Sequence, residues 1–117
     1  IKLLISRGAV LGSVFDAWMM VPGWIRGEST PESTGVKIEH ISNHVDHICQ
    51  LAGNANHVGI GSDLDGGFGT EQSPLDLNSI ADLQSLEGIF EARGYSAEEI
   101  SGIFHGNFLR LLREAWS

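Results

Sequence analysis

The stretch from His57 to Gly69, which reads His-Val-Gly-Ile-Gly-Ser-Asp-Leu-Asp-Gly-Gly-Phe-Gly, constrains the fold more than any other part of the chain. Its short apolar beginning predicts a buried strand at 57–62, and the strand ends in two carboxylates, Asp63 and Asp65, and a glycine-rich loop. Because α/β folds place their chemistry at the carboxyl ends of parallel strands, Asp63 is a candidate functional residue. The residues alone leave one alternative open, in which Asp65-Gly66 is only a turn and Asp63 only a cap.

A second buried strand is predicted at residues 9–15, where apolar residues follow one another without polar alternation. The residues between the two strands predict a helix over 36–52, because Ile38, Ile41, Val45 and Ile48 recur at helical spacing and Gly53 follows as a stop. The order of strand, helix and strand is that of a βαβ unit with parallel strands. Asp16, which follows the first strand, is therefore expected at the same sheet edge as Asp63.

The remaining segments read as helices and loops. Residues 1–7 predict the tail of a helix that ends at Gly8, and the segment 22–35 predicts a long loop. Two capping patterns, Ser79 with Asp82 and Ser96 with Glu99, predict further helix starts. Asn107 is predicted to cap a last helix, whose residues Leu109, Leu112 and Trp116 require an apolar surface to cover them.

Composition excludes several classes of function. Fifteen acidic and seven basic residues give a formal charge of -8, which argues against nucleic acid and anionic membranes as partners. The single cysteine, Cys49, excludes an intrachain disulfide and is interpreted as a structural thiol. No run approaches the ~20 apolar residues of a membrane span, and the compartment stays unassigned.

Other motifs give weaker signals. His40, His44 and His47 share one side of the predicted helix, either as a zinc site or as a solvated helix edge; zinc usually takes ligands from several elements. The loop after Asp63 fails the calcium-loop pattern, since Phe68 and Pro74 replace the required Gly and Glu. The nucleotide-binding glycine pattern is incomplete as well.

The segment after the first strand offers candidates for a substrate pocket. Four large side chains line either such a pocket or the core: Trp18, Met19, Met20 and Trp24. Arg26 either binds a substrate carboxylate or is simply solvated.

An ordered series of motifs spans the chain: Val45-Asp46-His47-Ile48, Leu51-Ala52-Gly53, the segment His57 to Gly66, and Gly106-Asn107-Phe108-Leu109-Arg110. Together they resemble the C-terminal part of the membrane (renal) dipeptidase family of zinc peptidases. The resemblance implies a metal-dependent (β/α)₈ TIM barrel, of which residues 1–117 would be a C-terminal fragment supplying the last two parallel strands and the closing helices. It also implies hydrolysis of dipeptides, with loops 22–35 and 66–78 shaping the substrate mouth.

The resemblance further assigns roles to residues. In that family a binuclear zinc centre activates a hydroxide, and the aspartate ending the eighth strand, here Asp63, handles the proton. Phe15 and Asp16 are expected near the substrate, whereas the zinc ligands are expected upstream of Ile1 and none in this chain. The chain alone is therefore expected to be inactive, and its expected partners are a dipeptide substrate and the remainder of the barrel, as an upstream segment or a second chain. A homodimer is a further option.

Two alternatives of other classes remain. One is a non-catalytic α/β interaction module whose exposed sheet edges bind a partner. The other is a metal-free relative that keeps the barrel without its activity.

Overall fold

A two-stranded parallel sheet carries the fold, and the computed structural model describes all residues from 1 to 117. Strand β1 (Leu11–Ser13) pairs with β2 (Val58–Ile60) in the register Leu11 to Val58, Gly12 to Gly59 and Ser13 to Ile60. Backbone hydrogen bonds continue beyond these strands, from Leu11 N to His57 O (2.8 Å) and from Phe15 N to Ser62 O (3.0 Å). The predicted parallel pairing is confirmed, and the regular strands are shorter than the predicted ranges.

Short helices surround the sheet. The α-helices are α1 (Lys2–Ser6), α2 (Ala17–Met20), α3 (Pro31–Thr34), α4 (His40–Ala52), α5 (Leu86–Ala92), α6 (Ala97–Ser101) and α7 (Asn107–Ala115). The 3₁₀-helices cover Thr70–Gln72 and Ile80–Ser85, and a π-helix covers Gly102–Gly106. Both predicted capping boxes are present, Ser79 with Asp82 and Ser96 with Glu99. None of the helices combines the length and the apolar character needed to cross a membrane.

Helix α4 connects the two strands and begins four residues later than predicted. Val36 and Ile38 are buried, but their backbone holds a later loop: Leu75 N donates to Val36 O (2.8 Å), and Ile38 N donates to Asp76 Oδ1 (2.8 Å). These long-range bonds compete with the first helical turn, so helix geometry starts only at His40. Its end is as predicted, because Gly53 adopts the left-handed conformation at φ 75°.

The core lies between α4, the sheet and the C-terminal helices. Ile41 and Val45 of α4 are 1% exposed, and they belong to one cluster of seventeen buried apolar residues that includes Val58, Phe90 and Ile103. Burial of each such side chain contributes about 1.5–3 kcal/mol, which is an upper value because the unfolded chain also buries apolar surface. The core therefore packs α4, which precedes β2 in the chain, against that strand.

Glycines leave room for an aromatic ring on one face of the sheet. Gly12 and Gly59 are register partners, so they lie on the same face, and the ring of Phe108 packs on them. A Cβ at Gly59 would lie 2.7 Å from Cδ2 of that ring. This contact brings the last helix against the strand that leads to Asp63.

Asn107 does not cap a separate helix, and that prediction is wrong. Helix α6, the π-helix and α7 follow one another without a break, and Asn107 is 4% exposed inside this run. Its Nδ2 donates to Ala55 O (2.7 Å) and Val58 O (2.8 Å), so its side chain is engaged by the start of β2 rather than by its own helix. Leu109 and Trp116, for which a covering surface was expected, are 44% and 80% exposed.

Candidate functional site

The carboxyl ends of the two strands bring Asp16 and Asp63 to one pocket. The residues directly before them, Phe15 and Ser62, share a backbone hydrogen bond of 3.0 Å. The pocket is open, has a volume of about 380 Å³, and is lined by Asp16, Met19, Arg26, Asp63, Gly66, Gly67, Phe68, Glu71 and Gln72. The parallel strands thus place both residues at the same sheet edge, as the sequence predicted.

Asp63 combines a turn conformation with a free carboxylate. Its φ of 59° is the only positive value outside glycine, and aspartate is among the residues that tolerate this region best. Its carbonyl accepts a hydrogen bond from Gly66 N (2.9 Å), which closes a tight turn. The carboxylate is solvent-exposed, lines the pocket and accepts no hydrogen bond within the chain. The turn and the functional interpretation of this residue are therefore compatible.

Asp16 is buried and anchors the loops around the pocket. The residue is 2% exposed, and its Oδ1 accepts hydrogen bonds from Trp18 N (3.0 Å) and Gln72 Nε2 (2.8 Å). The first bond caps α2, and the second ties the loop after β2 to the end of β1. Phe15, the neighbouring candidate, is fully buried in the core and exposes no surface to the pocket.

Arg26 provides the positive charge of the pocket. Its guanidinium lies 4.1 Å from the centre of the Trp18 ring, and its Nη2 lies 3.9 Å from Oδ2 of Asp16. Of the four large candidates for the pocket lining, only Met19 lines it, because Met20 and Trp24 are buried in the core and Trp18 stacks on Arg26.

Sequence reasoning missed three residues that contribute to the pocket: Phe68, Glu71 and Gln72. Glu71 accepts a hydrogen bond from Gly69 N (2.9 Å), and this bond, with a second one from its own backbone, lowers the pKa of its carboxyl group. Glu71 and Gln72 belong to no motif, and Phe68 was considered only as a departure from the calcium-loop pattern. The only signal was the family resemblance, which implies that the loop 66–78 shapes the substrate mouth.

The residues of this chain do not form a metal centre. No three His, Cys, Asp or Glu side chains lie together in a way that could hold an ion. The Asp16 carboxylate already accepts two hydrogen bonds, from Trp18 N and Gln72 Nε2. The Nδ1 atom of His40 accepts a hydrogen bond from Lys37 N (2.9 Å) at the start of α4. His44 and His47 are exposed on the same helix. Asp63 alone offers a free carboxylate at the strand ends, which is too few donors for a metal site of four ligands.

Cys49 does not line the pocket and lies beside a polar cluster of Asp46, Arg93 and Tyr95. Asp46 accepts hydrogen bonds from Arg93 (2.5 Å) and from the Tyr95 hydroxyl (2.5 Å). Burial raises the pKa of the Cys49 thiol, and the charges of Asp46 and Glu99 raise it further. A protonated thiol is a weak nucleophile, which agrees with a structural role.

Comparison with protein families gives a match over the whole chain. The model of the membrane dipeptidase family, peptidase family M19, matches residues 1–117. An uncharacterized protein in the pqqA 5' region of Klebsiella pneumoniae is 28% identical over 99% of this chain and 39% of its own length. Dipeptidase 3 of Homo sapiens is 31% identical over 66% of this chain and 15% of its own length.

Two solved structures share the fold. One is dipeptidase AC, a metallo peptidase of family M19, with a TM-score of 0.77 and 23% identity over 98% of this chain and 30% of that chain. The other is a metallo peptidase from Rhodobacter sphaeroides, liganded with a phosphinate mimic of the dipeptide L-Ala-D-Ala. It has a TM-score of 0.72 and 21% identity over 96% of this chain and 29% of that chain.

The chain spans 39% or less of the length of these relatives. The two structures show the fold, an α/β arrangement with two parallel strands that matches part of the M19 dipeptidases. The family model covers every residue of the chain. This protein therefore belongs to the membrane dipeptidase family, peptidase family M19.

Proposed function

We propose that residues 1–117 are the C-terminal part of a (β/α)₈ barrel domain and contribute Asp63 as the acid/base of zinc-dependent dipeptide hydrolysis. The observation that carries this proposal is the free carboxylate of Asp63, which follows β2 and lines the pocket at the strand ends. The family membership of the chain supports it as well.

Asp63 would handle the proton in this reaction. An ionised carboxylate would accept the proton of the attacking water and deliver it to the amine that leaves when the peptide bond breaks. Positioned acid/base groups contribute about 10²–10⁴ in rate. Zinc, when bound, would supply an activated water and would polarise the carbonyl of the substrate. The zinc ligands would lie outside residues 1–117, because these residues do not bring together three or more His, Cys, Asp or Glu side chains that could hold an ion.

Asp16 and Phe15 would serve the substrate side of the same site. Asp16 lines the pocket, but its bonds to Trp18 and Gln72 give it mainly a positioning role. Phe15 would support the pocket from the core. The substrate itself would be a dipeptide, held between the loops that follow the two strands.

The remainder of the barrel would come from an upstream segment or from a second chain. This chain spans only 39% and 30% of the length of two of its relatives, and this partial coverage supports the proposal. The sheet has only two strands, so each strand leaves one edge without a partner, and edges of this kind are normally covered or paired. A homodimer stays a prediction.

Zinc content and dipeptide hydrolysis test the proposed function. The 117-residue chain alone is expected to bind no stoichiometric zinc and to show no turnover, whereas the completed barrel is expected to show both. Stoichiometric zinc with turnover by the 117 residues alone would contradict the role as part of a barrel. A completed barrel that hydrolyses no dipeptide would instead favour the interaction module or the inactive relative.

A further inference from the structure

The segment 65–72, which supplies one wall of the pocket, has little packing to hold it in place. All of its residues are exposed except Phe68 and Gln72, which are half-buried. Three of its eight residues are glycines, and Gly67 adopts a positive φ of 85°. Segments with few buried contacts and freely rotating glycines open at a low cost in free energy. The position of this wall therefore depends on specific side-chain hydrogen bonds.

Short-range bonds turn the second half of the segment into one unit without attaching it to the rest of the chain. Glu71 accepts a hydrogen bond from Gly69 N (2.9 Å), and Ser73 Oγ donates to Gly69 O (3.0 Å). Gln72 N donates to the same carbonyl (3.1 Å). Because these bonds all lie within residues 69–73, they leave the position of the turn on the pocket unspecified.

One hydrogen bond attaches this turn to a distant part of the chain. Gln72 Nε2 donates to Oδ1 of Asp16 (2.8 Å), and no other hydrogen bond joins residues 65–72 to a residue outside 63–73. The Asp16 side chain is 3% exposed and is fixed by a second bond from Trp18 N (3.0 Å). Hydrogen bonds to a carboxylate that is shielded from water are among the stronger ones in proteins. The bond therefore ties an exposed wall to a buried strand end.

The end of the same loop is attached independently of Gln72. Leu75 N donates to Val36 O (2.8 Å), and Ile38 N donates to Oδ1 of Asp76 (2.8 Å). Loss of the bond from Gln72 would therefore release the segment 65–72 and leave the rest of the loop in place.

We propose that Gln72 is a positioning residue whose bond to Asp16 holds Phe68 and Glu71 in the lining of the pocket that contains Asp63. The kinetic consequence rests on the proposed function, whereas the bond itself can be measured without turnover. Without the bond the wall is displaced for part of the time, and substrate binding has to restore it. A binding-competent state that is only partly populated weakens the apparent affinity in proportion to its population. The effect is therefore expected in KM rather than in kcat.

The kinetic test compares Gln72→Ala with the unchanged enzyme in its complete, zinc-loaded form. We expect KM for a dipeptide to rise about tenfold and kcat to stay within about twofold. Gln84→Ala is the matched control, because it removes the same side chain from an exposed position outside the pocket, in the 3₁₀-helix Ile80–Ser85. That control should leave both constants unchanged.

Gln72→Glu adds a readout that a general loss of packing would not give. It places a second carboxyl group beside Asp16, and such pairs raise the pKa of one member. Below the raised pKa the introduced carboxyl is protonated and donates to Asp16 as the amide does, whereas above it the two charges repel. Asp63 and Glu71 act in the same direction as Asp16, and Arg26 opposes them.

The ratio of KM in Gln72→Glu to KM in the unchanged enzyme is therefore expected to rise as the pH increases from about 5 to about 8. Titration of groups that both enzymes share cancels in this ratio. The corresponding ratio for Gln72→Ala should not depend on pH, and Gln84→Glu controls for the added charge.

Amide hydrogen exchange of the complete enzyme without substrate measures the bond directly. In Gln72→Ala we expect exchange to be about tenfold faster in peptides that cover 65–73 and unchanged in those that cover 75–78. Equal exchange in residues 65–73 would overturn the proposal, as would an unchanged KM, a fall in kcat at constant KM, or a KM ratio of Gln72→Glu that does not depend on pH. Faster exchange in an enzyme that hydrolyses no dipeptide would support the bond and contradict the proposed function instead.

Discussion

Asp63 is positioned by its own backbone and by the absence of a side chain at Gly66. The left-handed conformation of Asp63 costs about 1–2 kcal/mol for an ordinary residue and less for aspartate. A Cβ at Gly66 would lie 2.5 Å from Oδ1 of Asp63, 2.8 Å from its carbonyl oxygen and 2.9 Å from Cγ. The glycine thus leaves the space into which the carboxylate folds.

Substitution of Gly66 by alanine should therefore displace the carboxylate. In the complete enzyme we expect Gly66→Ala to lower kcat by about 100-fold, because a shift on the order of 1 Å has this effect on a catalytic group. Gly94→Ala, outside the pocket, is the control: its φ of 91° makes alanine strained there, but nothing lies within 4 Å of the added Cβ. That control should lower the melting temperature and leave kcat close to normal. Equal kcat values for the two variants would contradict the positioning role of Gly66.

The two acidic candidates could be found from the sequence because a strand end marked each of them. Asp63 and Asp16 stood at the ends of apolar runs, so their shared location followed from the order of the elements. Gln72, Glu71 and Phe68 reach the pocket from a loop without periodicity. Gln72 is held there by a side-chain hydrogen bond to Asp16, 56 residues earlier in the chain, and no local pattern predicts such a bond.

At the scale of elements, the last helical run fixes β2 in two ways. Phe108 fills the space above Gly12 and Gly59, and Asn107 donates to the carbonyls of Ala55 and Val58. Asn107 directly follows the π-helix Gly102–Gly106, whose wider turn shifts the side chains that follow it relative to an uninterrupted α-helix. The helix thereby holds the strand whose end carries Asp63.

Alanine at Gly59 should disturb this packing. Its Cβ would overlap the Phe108 ring, so we expect Gly59→Ala to lower the free energy of unfolding by about 1–3 kcal/mol. Gly88→Ala, in the interior of α5 with open space around the added Cβ, should instead raise it by about 0.5–1 kcal/mol. Urea unfolding of both variants measures the difference. A Gly59→Ala variant as stable as Gly88→Ala would mean that Phe108 does not pack as described.

Element types were predictable from local chemistry, whereas their boundaries were not. Apolar runs predicted both strands, and the capping residues Ser79 and Ser96 marked true helix starts. The late start of α4 depends on bonds from Ile38 and Leu75 to distant partners, and the continuity at Asn107 depends on a π turn. Both are tertiary effects that override local propensity.

At the scale of the molecule, the chain has a compact core and several large apolar side chains that are exposed. The most exposed large apolar residues include Leu3 at 65%, Ile80 at 71% and Trp116 at 80%. Together with two unpaired strand edges, they match a unit that packs against further elements of the same barrel. The proposed barrel would cover these side chains, and it would explain why the chain spans only part of the length of its relatives.

The rate of dipeptide hydrolysis by Asp63→Asn tests the central claim most directly, with metal content measured on the same sample. Asparagine tolerates the left-handed conformation as well as aspartate does, so the backbone should not change. In the complete enzyme we expect kcat to fall by about 10²–10⁴ with unchanged zinc content. Asp65→Asn, which neutralises the exposed carboxylate two residues later outside the pocket lining, should keep a nearly normal rate. A near-normal rate for Asp63→Asn would contradict the assignment of Asp63 as the acid/base.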